Sequence, residues 1–536
     1  MSYRDTIRSL ADRPEELELA YRQAVRDGAE ESFAEAIDEG HAESGGNLLL
    51  AAWHYRLAYA VEQVKGRVVA WGWALPLGVL NGLLLWLLSD HERFRIQMTN
   101  PLTGFPVYLM PAVLLLAAPV SAVVMSLFLT FVGRGRPGRA AVAGVALTAA
   151  SAYAILLFRQ IWPRPFQDQF LGLMVMHLGL LAWAGVGFTA LARGDGEDHR
   201  FAFLAKSMEA FVVTGLLAIA GGLFTAITVG LFNALDIQPP DVVLRLFYAG
   251  GGGLIAIIAV ALVYDPLRAP ARQRFDEGLS KLVALLMRLL LPLTVAVLLV
   301  YLAFIPFNWR EPFENRDVLV VYNAMLFAVI ALLVGATPVR GGELSQKGET
   351  WLRRGAIALA ALALIVSLYA LAAIVYRTVS DRITPNRLLF IGWNLVNIAI
   401  LATLLVRQAR AGRIQWLPAM HRTFAAGTVL YLAWAIVGLL LTPWLFRGDL
   451  RAAVGLPRTI QTILYERPEP ILLKCPASPH VFLLEDGQKH WIKDIATLTA
   501  EGYRWSDVYP VSPCDDLRLV PDGVPIPPDA GPPPQP

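Results

Sequence analysis

The chain has 536 residues, 56% of them hydrophobic and 17% charged, with a formal net charge of +3. A soluble globular protein carries roughly 25% charged residues. Here the missing charge is withheld from long runs instead of being thinned evenly, which argues against a soluble fold. The small net charge, and basic residues confined to short groups between apolar runs, argue against nucleic-acid binding.

Residues 1–46 are acidic and lack the apolar core of a signal peptide, so the first membrane span has to act as the insertion signal. Asp12, Pro14 and Glu15 predict a helix start: a cap, a ring that fixes φ, and an acid at the positive end of the dipole. Leu17, Tyr21, Ala24 and Val25 then form an apolar stripe that Gly28 breaks, and Phe33 with Ile37 begins another. This predicts a helical cytoplasmic cap, either simply solvated or a docking platform for a basic protein partner. Residues 47–67 are apolar but interrupted by His54, Arg56, Glu62 and Lys65. They predict an amphipathic helix lying on the membrane, with Trp53, Tyr55 and Tyr59 at headgroup level.

A bilayer core of about 30 Å needs ~18 or more apolar residues in helix. Eleven such runs occur within 68–446: Val68–Leu88, Val107–Val132, Ala140–Phe158, Phe170–Ala192, Ala210–Asn233, Val243–Tyr264, Leu282–Pro306, Val318–Ala336, Gly355–Tyr376, Leu388–Val406 and Phe424–Phe446. No strand alternation is long enough for a β-barrel. The loops on one side carry eighteen Lys and Arg, including Arg136, Arg272 and Arg410, against nine on the other. The positive-inside rule then puts the N-terminus in the cytoplasm and, after eleven spans, the C-terminus outside.

Beyond Phe446 the long apolar runs stop. Residues 481–492 alternate around Asp486-Gly487, a two-residue hairpin signal. Residues 447–524 read as a small β-rich extracytoplasmic module, and 525–536 as a Pro-rich disordered tail. Cys475 and Cys514 both fall in the module. In an oxidising compartment they predict a disulfide; in a cytoplasmic tail they would be two free thiols.

Three groups of residues, Ile305-Pro306-Phe307-Asn308, Pro312-Phe313-Glu314-Asn315-Arg316-Asp317 and Tyr322-Asn323-Ala324-Met325-Leu326-Phe327, are followed by Thr384-Pro385-Asn386-Arg387. With these motifs, residues 201–446 resemble a bacterial membrane family, domain of unknown function 4153. The resemblance implies a multi-pass protein of the bacterial inner membrane and no particular reaction. Around Gly487 and Gly502-Tyr503-Arg504-Trp505-Ser506-Asp507-Val508, the tail is similar to short modules of exported envelope proteins.

No motif predicts a cofactor, a metal site or a catalytic residue: there is no Gly-rich loop ending in Gly-Lys-Ser or Gly-Lys-Thr. Gly250–Gly253, inside a span, predict either close helix packing or a broken, cargo-binding helix. His177 is either bonded to a neighbouring helix or part of a proton relay. Arg288 either snorkels to the interface or faces a cavity and holds an anionic group. Asn81, Asn233, Asn323, Asn394 and Asn397 are accounted for by helix–helix hydrogen bonds. Asp90 and Glu92, in the first outer loop, are the residues a lipid-linked glycosyltransferase would use.

Arg316, Asp317, Arg382, Asn386 and Arg387 lie in or beside the outer loops, with Tyr322 and Asn323 at the start of the following span. Arginines there run against the positive-inside trend. Pro385 predicts a helix start that presents Asn386 and Arg387 at an anion-favouring N-terminus. The alternative is ordinary loop structure with headgroup contacts. The expected fold is an all-α polytopic membrane bundle with a small β-rich C-terminal module. The leading functional expectation is a permease-like protein for an anionic or lipidic solute. A non-catalytic envelope scaffold is the second, and a lipid-linked glycosyltransferase the third.

Overall fold

The computed structural model describes residues 3–27, 29–44, 46–64, 69–135, 137–275, 278–314, 316–380, 382–448, 454–467 and 469–536. The side chains of Tyr59, Arg316 and Asp317, and all of Lys65, Arg136 and Asn315, lie outside the described residues. The chain divides into two compact units, 1–69 and 70–536.

The first unit holds four helices, α1 (Tyr3–Ser9), α2 (Pro14–Arg26), α3 (Glu30–Glu43) and α4 (Leu48–Val64). Pro14 stands at the first helical position of α2, with Glu15 in the first turn; Arg13, not Asp12, occupies the cap position. Asp12 instead accepts from Asn47 Nδ2 at 3.3 Å. Asn47 Oδ1 caps α4 by accepting from the amides of Leu49 and Leu50 at 2.9 and 3.1 Å. Ile7, Leu17, Phe33, Ile37, Leu50, Trp53 and Leu57 form one core. This corrects the expectation for Trp53 alone, since Tyr55 on the same helix is exposed. Trp53 is buried among α1–α3 and not available at headgroup level, because the apolar face of α4 completes the small core. The acidic surface is partly neutralised from within. Glu43 pairs with Arg4 and Arg8, and Glu18 with Arg22 and Arg56. The Arg8 and Arg4 hydrogen bonds hold the Glu43 carboxyl below its ordinary pKa.

In the second unit, eleven helices among the described residues are long and apolar enough to cross a membrane. They are α5 (Trp71–Leu88), α6 (Ala112–Gly133), α7 (Pro137–Leu157), α8 (Arg164–Ala190), α9 (Glu197–Ala234), the joined α10 (Asp241–Arg245) and α11 (Gly251–Val263), α12 (Gly278–Phe304), α14 (Arg316–Ala336), α15 (Gln346–Ser380), α16 (Pro385–Ala411) and α17 (Trp416–Leu445). A short α13 (Glu311–Glu314) precedes α14. The chain is therefore a multi-pass membrane protein by the length and composition of its helices.

The second span starts later than Val107. Residues 106–111 form a strand, β2 (Pro106–Pro111), paired antiparallel with β1 (Arg95–Thr99). Two prolines bracket that strand, and the helix begins only after Pro111. The glycine run packs and does not break its helix: residues 246–250 form one π-type turn and the helix continues. A Cβ on Gly82 would lie 2.6 Å from the Gly250 carbonyl oxygen, and one on Gly253 2.9 Å from that of Asn81. Backbones this close need glycine on both helices. Asn81 Nδ2 locks the crossing by donating to Gly253 O at 2.9 Å and Ser121 Oγ at 3.0 Å.

The C-terminal module holds α18 (Arg458–Glu466), β3 (Ile471–Lys474), β4 (Val481–Glu485), β5 (Gln488–Ile492), α19 (Ile495–Ala500), β6 (Tyr509–Pro510) and α20 (Cys514–Arg518). Its sheet order is β5-β4-β3-β6. The Asp486-Gly487 turn has both residues at positive φ, as a two-residue hairpin requires. Cys475 and Cys514 are joined by a disulfide, with Cα atoms 5.3 Å apart. The Pro-rich end is not a free stub where it leaves the module. Ile526 donates to Trp491 O at 2.8 Å and accepts from Lys493 N at 3.1 Å, extending the β5 edge. Ile526 is one of the few residues there with an amide to give, since prolines surround it. The module sits at the end of the bundle where α8 begins, with the rings of Trp162 and Tyr465 5.5 Å apart.

Candidate functional site

At that same end α15 finishes, the chain turns through 382–384, and α16 starts. Thr384 has extended backbone before Pro385 and caps the new helix, its hydroxyl accepting from Arg387 N at 3.3 Å. Asn386 N donates to Gln169 Oε1 of α8 at 3.4 Å. Between these elements and α14 lies a cavity of about 130 Å3, lined by Gln169, Leu319, Val320, Asn323, Ile374, Arg377, Thr384, Asn386, Arg387 and Phe390.

Two guanidinium groups and no carboxylate line this space among the described residues. Arg377 comes from the last turns of α15 and Arg387 from the first turn of α16. Arg387 Nη1 donates to the Arg382 carbonyl, which fixes the turn beneath it. The N-terminal dipole of a 27-residue helix adds to the same positive field. Planar guanidinium groups suit the oxygens of a phosphate or carboxylate. The volume fits one small anionic group with some water. Asn323 forms the floor, donating to Leu319 O and accepting from Asn394 Nδ2, each at 2.7 Å.

The charge of Arg382, in the turn beneath the cavity, also acts on the C-terminal module. Burial raises the Tyr503 phenol above its ordinary pKa, with Glu485 and Glu501 adding to the effect and the nearby Arg382 charge opposing it.

The structure therefore places Asn323, Asn386 and Arg387 around one cavity. It does not place Arg288 there. Arg288 Nη2 pairs with Glu343 at 2.9 Å and its Nε donates to Ala336 O at 3.1 Å, so this guanidinium is satisfied within the protein. Tyr322 faces away from the cavity and hydrogen-bonds Tyr301 in a small apolar cluster. His177 is fully buried, its Nδ1 2.8 Å from Leu173 O, and no carboxylate partner that would continue a proton relay is seen among the described residues. Asp90 does not converge with Glu92 on a groove. It accepts from the amides of Glu92 and Arg93 at 3.2 and 3.3 Å and pairs with Arg245 at 3.6 Å. Burial raises its pKa, but these partners outweigh it and leave the carboxyl below its ordinary value.

Arg377 and Gln169 were not among the expected site residues. The available signal was Arg377 itself, a cation at the end of a span that the positive-inside trend disfavours. A second group missed in sequence lies at the opposite end of the bundle. Lys206 Nζ donates to Glu209 at 2.7 Å and to Ser280 Oγ at 2.8 Å, and Ser280 donates on to Glu209. Both charged side chains are less than a tenth exposed, and this network ties α9 to the start of α12. Beside it is an apolar cavity of about 300 Å3, left open by Ala118, Ala122, Gly179, Ala182, Ala210 and Ala256. It suits hydrocarbon and not a charged group.

Fold and site together define a polytopic helical membrane protein with a cationic cavity at one end of its bundle. No family model matches the chain, and no curated protein or solved structure is significantly similar to it.

Proposed function

We propose that the protein is a permease-like protein of a bacterial inner membrane. In this reading the N-terminus is cytoplasmic, the C-terminal module is extracytoplasmic, and an anionic or lipidic solute is first held at the outer face by Arg377 and Arg387. The observation that carries the reading is the cavity itself, lined by two arginines, a capped helix N-terminus and an Asn floor. The charge asymmetry of the loops supports the orientation. The Cys475–Cys514 disulfide supports an oxidising location for the module.

The test uses the full chain in nanodiscs containing phosphatidylglycerol, with Arg377→Gln and Arg387→Gln singly and together. Retention of the anionic lipid, binding of inorganic phosphate and thermal stability are measured in parallel. Lost binding with unchanged stability supports the reading, and the lipid and phosphate arms separate the two sources of the anion. Lost stability with binding intact reduces both arginines to loop ties. Reporter fusions at Arg272, Arg410 and Trp505 test the orientation: a cytoplasmic signal at Trp505 overturns it.

A second reading, an envelope scaffold, is favoured by the two folded parts at the chain's ends, each with its own core. It predicts partner capture by those parts that survives loss of both arginines.

A further inference from the structure

The floor of the cationic cavity is the first of a row of polar side chains that leads into the bundle. Asn323 accepts from Asn394 Nδ2 at 2.7 Å, and Ser367 Oγ lies 3.5 Å from Asn394 Oδ1. One turn further along α16, Asn397 Oδ1 accepts from the Tyr431 hydroxyl. Trp393, beside Asn394, has its ring centroid 5.3 Å from that of His177 and 5.5 Å from that of Tyr431. From Asn386 to Asn397, α16 climbs about 16 Å at 1.5 Å per residue. That is about half of a 30 Å hydrocarbon core.

At the inner end of this row three polar atoms have no hydrogen-bond partner among the described residues: His177 Nε2, Trp393 Nε1 and Asn397 Nδ2. All three side chains have zero exposure. Unmatched polar atoms at this depth are strongly disfavoured, since neither lipid nor the surrounding helices offer a substitute. Their chemistry is specific. Trp393 Nε1 and Asn397 Nδ2 are donors. His177 Nδ1 faces the Leu173 carbonyl at 2.8 Å and so carries the ring proton, which leaves Nε2 of the neutral ring as an acceptor. Two donors and one acceptor match a group that both gives and takes hydrogen bonds. A phosphodiester or carboxylate, which only accepts, leaves His177 Nε2 unmatched. The row carries no Lys or Arg to accompany an anion inward.

We propose that the cationic cavity continues inward as a hydrated, uncharged path. It runs past Asn323 and Asn394 to a site among His177, Trp393 and Asn397 for water or a small neutral hydroxyl compound. Anions stop at Arg377 and Arg387, and neutral hydroxylated molecules pass beyond them. This rests on the reading of the cavity as open to the outer aqueous side.

The test places single cysteines in the full chain in proteoliposomes. Cys475 and Cys514 are already joined, so no native thiol competes. Asn386→Cys reports the cavity, Asn394→Cys and Asn397→Cys the path, and Val429→Cys, half-exposed on the outer surface of α17, the lipid. Thiosulfonates react with the thiolate, which forms only where water reaches. The neutral hydroxyethyl reagent should label the cavity and path positions at least about tenfold faster than Val429→Cys. The anionic sulfonatoethyl reagent should label Asn386→Cys alone. Labelling of Asn386→Cys with both path positions as slow as Val429→Cys overturns the path and leaves the cavity standing. Failure at Asn386→Cys overturns the open cavity and the path with it. Equal labelling of the path by both reagents overturns the selectivity. Unmodified protein gives a second measurement, because hydroxyl-radical footprinting needs local water. Trp393 should be oxidised despite its burial, and protection equal to that of the buried Phe128 overturns the proposal.

Discussion

Reducing the Cys475–Cys514 disulfide should unfold the C-terminal module selectively. The bond closes a segment of 39 residues. On the chain-entropy account, a cross-link over that length removes about 13 cal/mol/K from the unfolded ensemble, or about 4 kcal/mol at 25 °C. The module has little else to draw on: its main core is a dozen side chains around Leu473, Phe482, Leu484, Val511 and Leu517. At about 1.4 kcal/mol per factor of ten, the loss corresponds to a several-hundredfold rise in the open population. Hydrogen exchange of the full chain in nanodiscs, with and without reductant, reads this directly. Amides of β3 and β4 should exchange several hundredfold faster once reduced, while those of α15 and α16 stay protected. A change below about tenfold in β3 and β4 would refute the loop-closure reasoning. Equal loosening of α15 and α16 would refute the view that the bond acts on the module alone.

Replacing Glu343 by Gln leaves Arg288, only 18% exposed, without its counter-charge. Thermal unfolding should show a loss of about 3–5 kcal/mol, which the double variant Glu343→Gln with Arg288→Met largely restores. Gly253→Ala puts a methyl 2.9 Å from the Asn81 carbonyl and should lower stability by about 1–3 kcal/mol in the same assay. Gly252→Ala, one residue away with nothing within 4 Å, should be close to neutral. The Thr497 amide and hydroxyl hold the Asp494 carboxyl at the start of α19 below its ordinary pKa. That contribution is full above the unfolded carboxyl's pKa near 3.8 and is lost as pH falls through the lower folded value. An Asp494→Ala variant should therefore show a flatter acid limb in a pH series of module stability.

Much of the architecture is legible in the chain because membrane helices are local. Each apolar run satisfies its own backbone, so eleven runs read in order correspond to eleven helices. Asp486-Gly487 and Thr384-Pro385 are legible for the same reason, since turn and cap chemistry act within four residues. The misreadings involve partners far apart in sequence. Arg288 and Glu343 are separated by 55 residues, so the span gave no hint of a counter-ion. Trp53 has the composition of an interfacial anchor, and only the packing of α1–α3 against it makes it core. Of the expected anion-site residues, Asn386 and Arg387 belong to one helix start, while Asn323 reaches the cavity only through the packing of α14 on α16. Arg377 joins them because the last turns of α15 face the first turn of α16, a phase relation that periodicity alone does not supply.

The central claim is that Arg377 and Arg387 together hold an anionic group. An experimental structure of the full chain in phosphatidylglycerol nanodiscs, at a resolution that shows lipid phosphate, tests it most directly. The account predicts phosphate density within hydrogen-bond distance of both guanidinium groups. Both arginines bonded to protein carboxylates, with no density between them, would contradict it.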